Sequence, residues 1–541
     1  MLQVKNLTIA HKKDLREITK EFSFVINDGD KAAMIGEEGN GKSTVLKLLY
    51  APELVEDYVE WSGTIVRDNI VAGYLAQELS VEEKGMTVYE FMCAEPAFFD
   101  VDAGELAHIT AQLGIAAELP YAEQPVGALS GGEKIKVQLL RILCRRPNLL
   151  LLDEPSNDID IATLEWLEKF ILEFPYAVLY ISHDEVLLEN TANMILHMEL
   201  IKRKTEPKHT VFRCGYTDYI QQREAGIVRQ ERLANKEAEE YAKQMERYRR
   251  IQQRVEHEQN VITRQNPSGG RLLKKKMHAV KSMERRFERE AENMTKHPDY
   301  EEAIFFRFQE ENLLHRAKRV LEFELPELYV GEQTGETIQK EALSLGQSLQ
   351  EATDPFGVSG QRLLAKDIRL AVTGPERICI IGKNGAGKTT LLRQIAKQML
   401  QRTDLSVAYM PQNYEELLDL TKTPVEFLQK SGDKEEETRI RTYLGSMKYT
   451  IDEMNHPIAE LSGGQKAKVL LLSMSMNGSS VLILDEPTRN FSPLSCPVIR
   501  ELLRNYHGAI ISVSHDRKYI REVCTKVYEL TEGGLVEVQK K

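Results

Sequence analysis

Apolar residues fall along this chain in two different rhythms. In the outer parts, short unbroken runs such as "KAAMI" (31–35), "NLLLL" (148–152), "RICII" (377–381) and "VLIL" (481–484) are closed by polar or turn residues. Runs of four to six suit strands buried on both faces of a parallel sheet. "KAAMI" and "RICII" each lead through a glycine-rich loop into a helical pattern, "VLKLL" and "LLRQI". The same ordered set occurs twice, about 340 residues apart, so the chain is a duplication. Between the copies, from about Tyr216 to Pro298, the rhythm changes to gaps of three and four. Tyr241, Met245, Tyr248, Ile251 and Val255 mark one helix face; Leu273, Met277, Val280, Met283, Phe287, Ala291 and Met294 mark another. With "NPSGG" between them, these stripes predict an antiparallel helical hairpin, whose arms of about 47 residues would reach roughly 70 Å. The expected architecture is two α/β halves, residues 1–215 and 301–541, joined by a hairpin over 216–300 with its tip near 261–272.

The loops after the first strands carry the chemistry. "GEEGNGKST" (Gly36 to Thr44) and "GKNGAGKTT" (Gly382 to Thr390) both fit G-x-x-x-x-G-K-[ST] between a strand and a helix. Such a loop closes backbone N–H groups around phosphates, and the helix N-terminus adds its positive end. Candidate nucleotide ligands are Gly36, Gly39, Asn40, Gly41, Lys42, Ser43 and Thr44, with Gly382, Asn384, Gly385, Ala386, Gly387, Lys388, Thr389 and Thr390 in the second copy. The lysines would reach the β and γ phosphates of ATP, and the Ser43 and Thr389 hydroxyls would face Mg²⁺. Each copy then has a buried strand ending in two carboxylates, Asp153-Glu154 and Asp485-Glu486. The aspartates suit the Mg²⁺ shell, and the glutamates are placed to orient and polarise an attacking water. "LSGGE" and "LSGGQ" precede these strands by about 20 residues, with Ser130, Gly131 and Gly132, and Ser462, Gly463 and Gly464, at a helix start that can bind a second phosphate face. "ISHD" and "VSHD" place His183 and His515 after the next strand.

This order of motifs resembles the ATP-binding-cassette superfamily and covers nearly all of both halves. The fold implied is a pair of P-loop NTPase domains. The resemblance also implies that Gln77 in "YLAQE" and Gln412 in "YMPQN" lie near Mg²⁺ and the water, and that His183 and His515 act beside the glutamates. Each ATP would lie between the glycine loop of one half and the "LSGG" segment of the other. His11 and Phe356 are candidates for stacking on adenine.

Composition narrows what such a pair could drive. The chain has 541 residues, 42% hydrophobic and 28% charged, with a net charge of −12. No stretch approaches the roughly 18 uninterrupted apolar residues of a membrane span, and the N-terminus lacks a signal layout, so a cytoplasmic protein without membrane contact is expected. Six scattered cysteines with no CxxC pair suit reduced, structural thiols. Against the acidic whole, Gln259 to Arg286 holds eight basic residues, among them Arg264, Arg271, Lys274, Lys275, Lys276 and Lys281, and one acid, Glu284, for a local charge of about +7. A basic tip on a long rod points to a polyanion partner for that part alone.

Tandem cassettes joined by a basic helical hairpin resemble ABC-F proteins. An importer ATPase gives no reason for the hairpin, and a DNA-maintenance ATPase normally splits the motifs between distant chain ends. The resemblance implies a monomer whose cassettes pair internally and whose linker enters the E site of the bacterial 70S ribosome, near P-site tRNA and the 23S rRNA of the peptidyl-transferase centre. Two departures refine it. Gln77 to Leu129 spans 52 residues, leaving no room for a sizeable arm subdomain. After Glu486, "DEPTRNFSPLS" has Arg489 and Ser492 where "DEPSNDID" keeps Asn157 and Asp160. This form resembles the antibiotic-resistance members of Gram-positive bacteria, with a non-resistance translation factor as the alternative, and it raises the expectation that the two ATP sites differ.

Overall fold

The computed structural model describes residues 1–13, 15–201, 206–261, 267–295, 314–330 and 362–539. The chain forms two compact units, one made of residues 1–216 with 301–541 and the other of residues 217–300.

In the first half, a six-stranded sheet runs in the order Ala72–Leu75, Leu149–Asp153, Ala177–Ile181, Lys31–Ile35, Met194–Ile201 and Glu206–Phe212. All neighbours are parallel except the last pair. The second half repeats this with Val407–Met410, Val481–Asp485, Ala509–Val513, Arg377–Ile381, Lys526–Thr531 and Gly534–Val538. Every residue of Lys31–Ile35, Leu149–Asp153 and Ala177–Ile181 is buried, which is why these segments read as unbroken apolar runs. Both glycine loops and both carboxylate pairs therefore leave the same C-terminal edge of their sheets, where α/β folds place ligands.

A smaller antiparallel sheet, Glu17–Ile26, Leu2–His11 and Val59–Arg67, covers the helix Lys42–Tyr50. Val45, Leu46, Leu48 and Leu49 of that helix are 0–1% exposed between the two sheets. Each such side chain contributes about 1.5–3 kcal/mol of transfer free energy, and together they fix the helix that follows the loop. In the second half Leu391, Leu392 and Ile395 fill the same position against Arg319–Val330 and Arg362–Thr373.

The halves are joined by an ion network. Arg500, 4% exposed, pairs with Glu185 of the first half and with Glu522. Lys518 bridges Glu185 at 2.9 Å and Glu189 at 2.5 Å, and Arg517 pairs with Glu168 and with Asp184 at 3.1 Å.

The second unit contains helices Tyr216–Val261, 46 residues long, and Pro267–Asn293. They run antiparallel: Thr295 donates to Glu237, and the Tyr248 and Phe287 rings meet edge-on at 5.7 Å. Tyr248, Val255, Val280 and Phe287 form the seam, flanked by Tyr241, Met245 and Met277. Three residues of the expected faces do not join it: Ala291 is exposed, as are Ile251 at 41% and Met283 at 37%. A strict alternation of four and three falls on Gln252 and Glu284 rather than on Ile251 and Met283, and a residue one place away points about 100° aside. The expected turn also differs, since the second helix begins at Pro267, a residue suited to a first helical position, and takes up Ser268, Gly269 and Gly270. Arg264 and Asn266 lie outside the described residues, as does the Arg271 side chain. Phe356 also lies outside them.

Candidate functional site

Each glycine loop ends in a residue that only glycine can be. Gly41 (φ 79°) and Gly387 (φ 94°) cap their helices in the left-handed region. A Cβ there would lie 2.2 Å from Ile18 Cγ2 or 2.6 Å from Leu364 Cδ1. Neither cap supplies a side chain, so the first helical N–H groups face the loop interior. Lys42 Nζ donates to the Gly36 and Glu37 carbonyls at 2.9 and 2.8 Å, and Lys388 Nζ to those of Gly382 and Lys383 at 2.9 Å each. Both ammonium groups thus sit inside a loop shaped for an anion. Asn40, 6% exposed, donates to the Met198 carbonyl and so anchors the loop. Thr44 and Thr390 lie in the first turn of the helices that follow.

Of the residues expected around Mg²⁺, the hydroxyl and the aspartate face each other in both halves. Ser43 Oγ donates to Asp153 Oδ1 at 2.9 Å, and Tyr74 donates to Oδ2 at 3.2 Å. Asp485 faces Thr389, yet neither of its carboxylate oxygens makes a hydrogen bond of normal geometry among the described residues. Burial pushes Asp485 up to about 6 and raises Asp153 as well. A buried carboxylate lacking donors beside a hydroxyl is a fit for a hard divalent cation.

The following glutamates sit on a sharp turn. Glu154 (φ 49°) and Glu486 (φ 52°) are both left-handed, pinned by N–H donation to the Ile181 and Val513 carbonyls at 3.1 and 2.9 Å. Their side chains are 12% and 14% exposed, but their partners differ. Glu154 Oε2 accepts from Gln77 at 3.0 Å and from Asn157, while Oε1 lies 3.3 Å from His183 Nε2. Burial would raise this carboxyl, but the His183 hydrogen bond and charge, with Lys42 and Asn157, outweigh it and hold it down at about 2. Glu486 has the His515 N–H at 3.2 Å and Ser514 Oγ at 3.4 Å, with His515 Nε2 at 3.8 Å. Here burial and the Asp485 charge prevail and push the carboxyl up to about 8. Burial also lowers His515 to about 4. Gln412, expected beside Mg²⁺ and the water, instead donates to Asp158 of the other half at 3.4 Å. Arg489, at the place of Asn157, also reaches Asp158, at 2.8 Å. The Asp158 carboxylate collects both donors, which leaves Glu486 without side-chain amides.

The halves meet head to tail. Asn384 of the second loop donates to Asp158 O and Asp160 Oδ2, and a Cβ on Gly131 would lie 3.2 Å from its Nδ2. Reciprocally, the Gly464 N–H donates to Glu38 of the first loop, and His183 Nδ1 lies 2.8 Å from the Phe491 carbonyl. The corresponding His515 Nδ1 has no partner among the described residues. Ser130 and Ser462 cap their helices, accepting from the Glu133 and Gln465 N–H groups at 3.3 Å. A cavity of about 990 Å³ gathers Ser130, Gly131, Gly385, Gly387, Lys388, Thr389, Thr390, Gln412, Asp485, Glu486 and His515, together with Gln77, Glu154 and His183. A second of about 950 Å³ gathers Gly39 and Asn40 with Ser462 and Gly464. Lys42, Ser43 and Asp153 line neither cavity. His11 lies beside Tyr58, ring centroids 6.2 Å apart. The sequence reading missed Glu38 and Asp158 as residues that cross between halves; the doubled acid Glu37-Glu38 opposite Lys383-Asn384 was the available signal.

The ABC transporter family profile matches residues 19–157 and 365–489. The chain is 25% identical over 574 residues to ABC transporter F family member 2 of Arabidopsis thaliana, across 96% of this chain and 75% of that protein. It is 27% identical over 557 residues to ATP-binding protein Uup of Escherichia coli (strain K12), across 94% and 77%. A crystal structure of archaeal ribosome recycling factor aABCE1 in complex with the ribosomal stalk protein aP1 shares the fold, with a TM-score of 0.55 at 17% identity over 98% of this chain and 90% of that one. Among the described residues no helix is long and apolar enough to cross a membrane. The chain carries ATP-binding-cassette domains in tandem, the domains of an ATPase, and its homologues are ABC-F proteins.

Proposed function

We propose that this ATPase is a cytoplasmic ribosome-protection factor. With ATP held between its cassettes it binds the E site of the bacterial 70S ribosome, beside P-site tRNA. Its linker then relieves antibiotic inhibition at the 23S rRNA of the peptidyl-transferase centre, and hydrolysis releases it. The observation that carries this reading is the linker: Lys274, Lys275 and Lys281 are exposed on its second helix, in a chain whose net charge is −12. Lys276 is exposed as well, so these lysines spread around the helix. Phosphate contacts from such a helix position a rod on RNA without reading its sequence. Homology to ABC-F proteins and a fold shared with a ribosome recycling factor support the same partner.

In each composite site Lys42 or Lys388 and the loop N–H groups hold the β and γ phosphates. Ser130 to Gly132, or Ser462 to Gly464, close on the γ phosphate from the other cassette. Ser43, Asp153 and Gln77, or Thr389, Asp485 and Gln412, would hold Mg²⁺, which supplies neutralisation of phosphate charge when bound. Glu154 and Glu486 orient the water, with His183 and His515 beside them. Expression in a drug-sensitive bacterium tests the reading. Raised resistance to pleuromutilins, lincosamides, streptogramins A, phenicols or oxazolidinones is expected. Unchanged susceptibility to all of them, with ribosome binding intact, would favour a translation factor without a protective role.

A further inference from the structure

The two glycine loops present opposite chemistry to the helices they face. The first carries Glu37 and Glu38; at the same places the second carries Lys383 and Asn384. Glu38 Oε2 accepts the Gly464 N–H at 2.5 Å. Cβ atoms built on Gly463 and Gly464 would lie 3.2 Å from the two Glu38 carboxylate oxygens, so the carboxylate lies against the first two residues of that helix. One turn further on, Lys468, with its side chain 11% exposed, lies 3.8 Å from Glu37. Among the described residues the other interface has no such clasp. Asn384 offers donors to Asp158 and Asp160, and Lys136, the counterpart of Lys468, turns away to the Gly114 carbonyl and the Trp166 ring. Lys388 lines its cavity, whereas Lys42 does not line the one at the first loop.

We propose that Glu38 is a specificity-determining residue of the first composite site: its carboxylate holds the place of a nucleotide γ-phosphate at the Gly463–Gly464 helix start, so this site favours ADP over ATP relative to the second. The proposal rests on the composite-site assignment above. A helix start stabilises one anion, and two anions at the same N–H groups repel. A diphosphate sits under the first loop without disturbing Glu38. A triphosphate must first expel it from Gly464, while the Glu37–Lys468 pair keeps the loop against the helix. The second site, with an amide in place of the acid, accepts a triphosphate without that competition.

The test uses the full chain with one site silenced. In a Lys388→Ala background, titration calorimetry with Mg·AMPPNP and Mg·ADP reads the first site alone. Adding Glu38→Asn is expected to tighten Mg·AMPPNP at least about fivefold and to change Mg·ADP less than about twofold. The reciprocal Asn384→Glu in a Lys42→Ala background is expected to weaken Mg·AMPPNP selectively, which covers the case in which one variant folds poorly. Equal changes for both nucleotides, or weaker Mg·AMPPNP binding by the Glu38→Asn variant, would overturn the role of Glu38 alone. Absence of Mg·ADP binding in the Lys388→Ala background would overturn the composite-site assignment with it.

Discussion

Glu154 and Glu486 have similar exposure and opposite electrostatics, and this difference is measurable. Replacing Glu154 with Gln leaves hydrolysis to the site of Glu486, and the converse variant leaves it to the site of Glu154. Only the ionised carboxylate polarises water, and kcat/KM reports ionisation of the free enzyme. With Glu486 pushed up to about 8, about one molecule in eleven is ionised at pH 7 and half at pH 8. The kcat/KM of the Glu154→Gln variant should therefore rise about fivefold from pH 7 to pH 8. Glu154, held at about 2, is ionised throughout, so the Glu486→Gln variant should be nearly flat over that range. The structural cause is burial with the Asp485 charge at Glu486, where His515 Nε2 stands back at 3.8 Å, against the His183 contact at 3.3 Å, with Lys42 and Asn157, at Glu154. Adding Arg489→Asn to Glu154→Gln withdraws a cation whose charge lowers Glu486, so the rise should not fall below about fivefold. Phosphate release at saturating Mg²⁺, measured from low-substrate slopes at each pH, reads all three. Two superimposable profiles for the single variants would refute the reasoning.

Three further outcomes follow from the packing. Glu185→Gln leaves the buried Arg500 guanidinium with Glu522 alone and should cost about 3–5 kcal/mol, read as an earlier denaturant midpoint; a loss under about 1 kcal/mol would show that the network is not what joins the cassettes. Phe287→Ala empties the linker seam against Tyr241 and Tyr248 and should cost about 3–5 kcal/mol of hairpin stability, seen as loss of protection in hydrogen exchange confined to residues 217–295. Changing Lys274, Lys275 and Lys276 together to Glu should weaken ribosome co-sedimentation and flatten its salt dependence while leaving ATP hydrolysis without ribosomes unchanged.

Much of this molecule was readable before its structure. Parallel strands buried on both faces demand apolar residues at every position, so "KAAMI" and "VLILD" advertised both the sheets and the edge where the loops and carboxylates gather. Glycines with positive φ and no space for a Cβ made the loops equally plain. The linker's register was less so: Ile251 and Met283 are apolar, but a strict seam alternation passes them by and leaves both exposed. The contacts between halves were hidden for a different reason. Nothing local distinguishes the destination of Arg489, 331 residues away at Asp158, from an exposed loop cation. Nor does Glu38 look different in sequence from a solvated acid until Gly464 is brought to it. The substitution at position 489 was visible; that its guanidinium would reach across to Asp158 was not.

Ribosome retention by the Glu154→Gln, Glu486→Gln double variant tests the central proposal most directly. The carboxamides keep the shape of both sites but remove the charge that polarises water, so ATP should bind and persist. The variant is predicted to co-sediment with 70S ribosomes in ATP, to fall away in ADP, and to be displaced by deacylated tRNA competing for the E site. Equal sedimentation in ATP and ADP, or none in either, would contradict an ATP-closed, ribosome-bound mechanism.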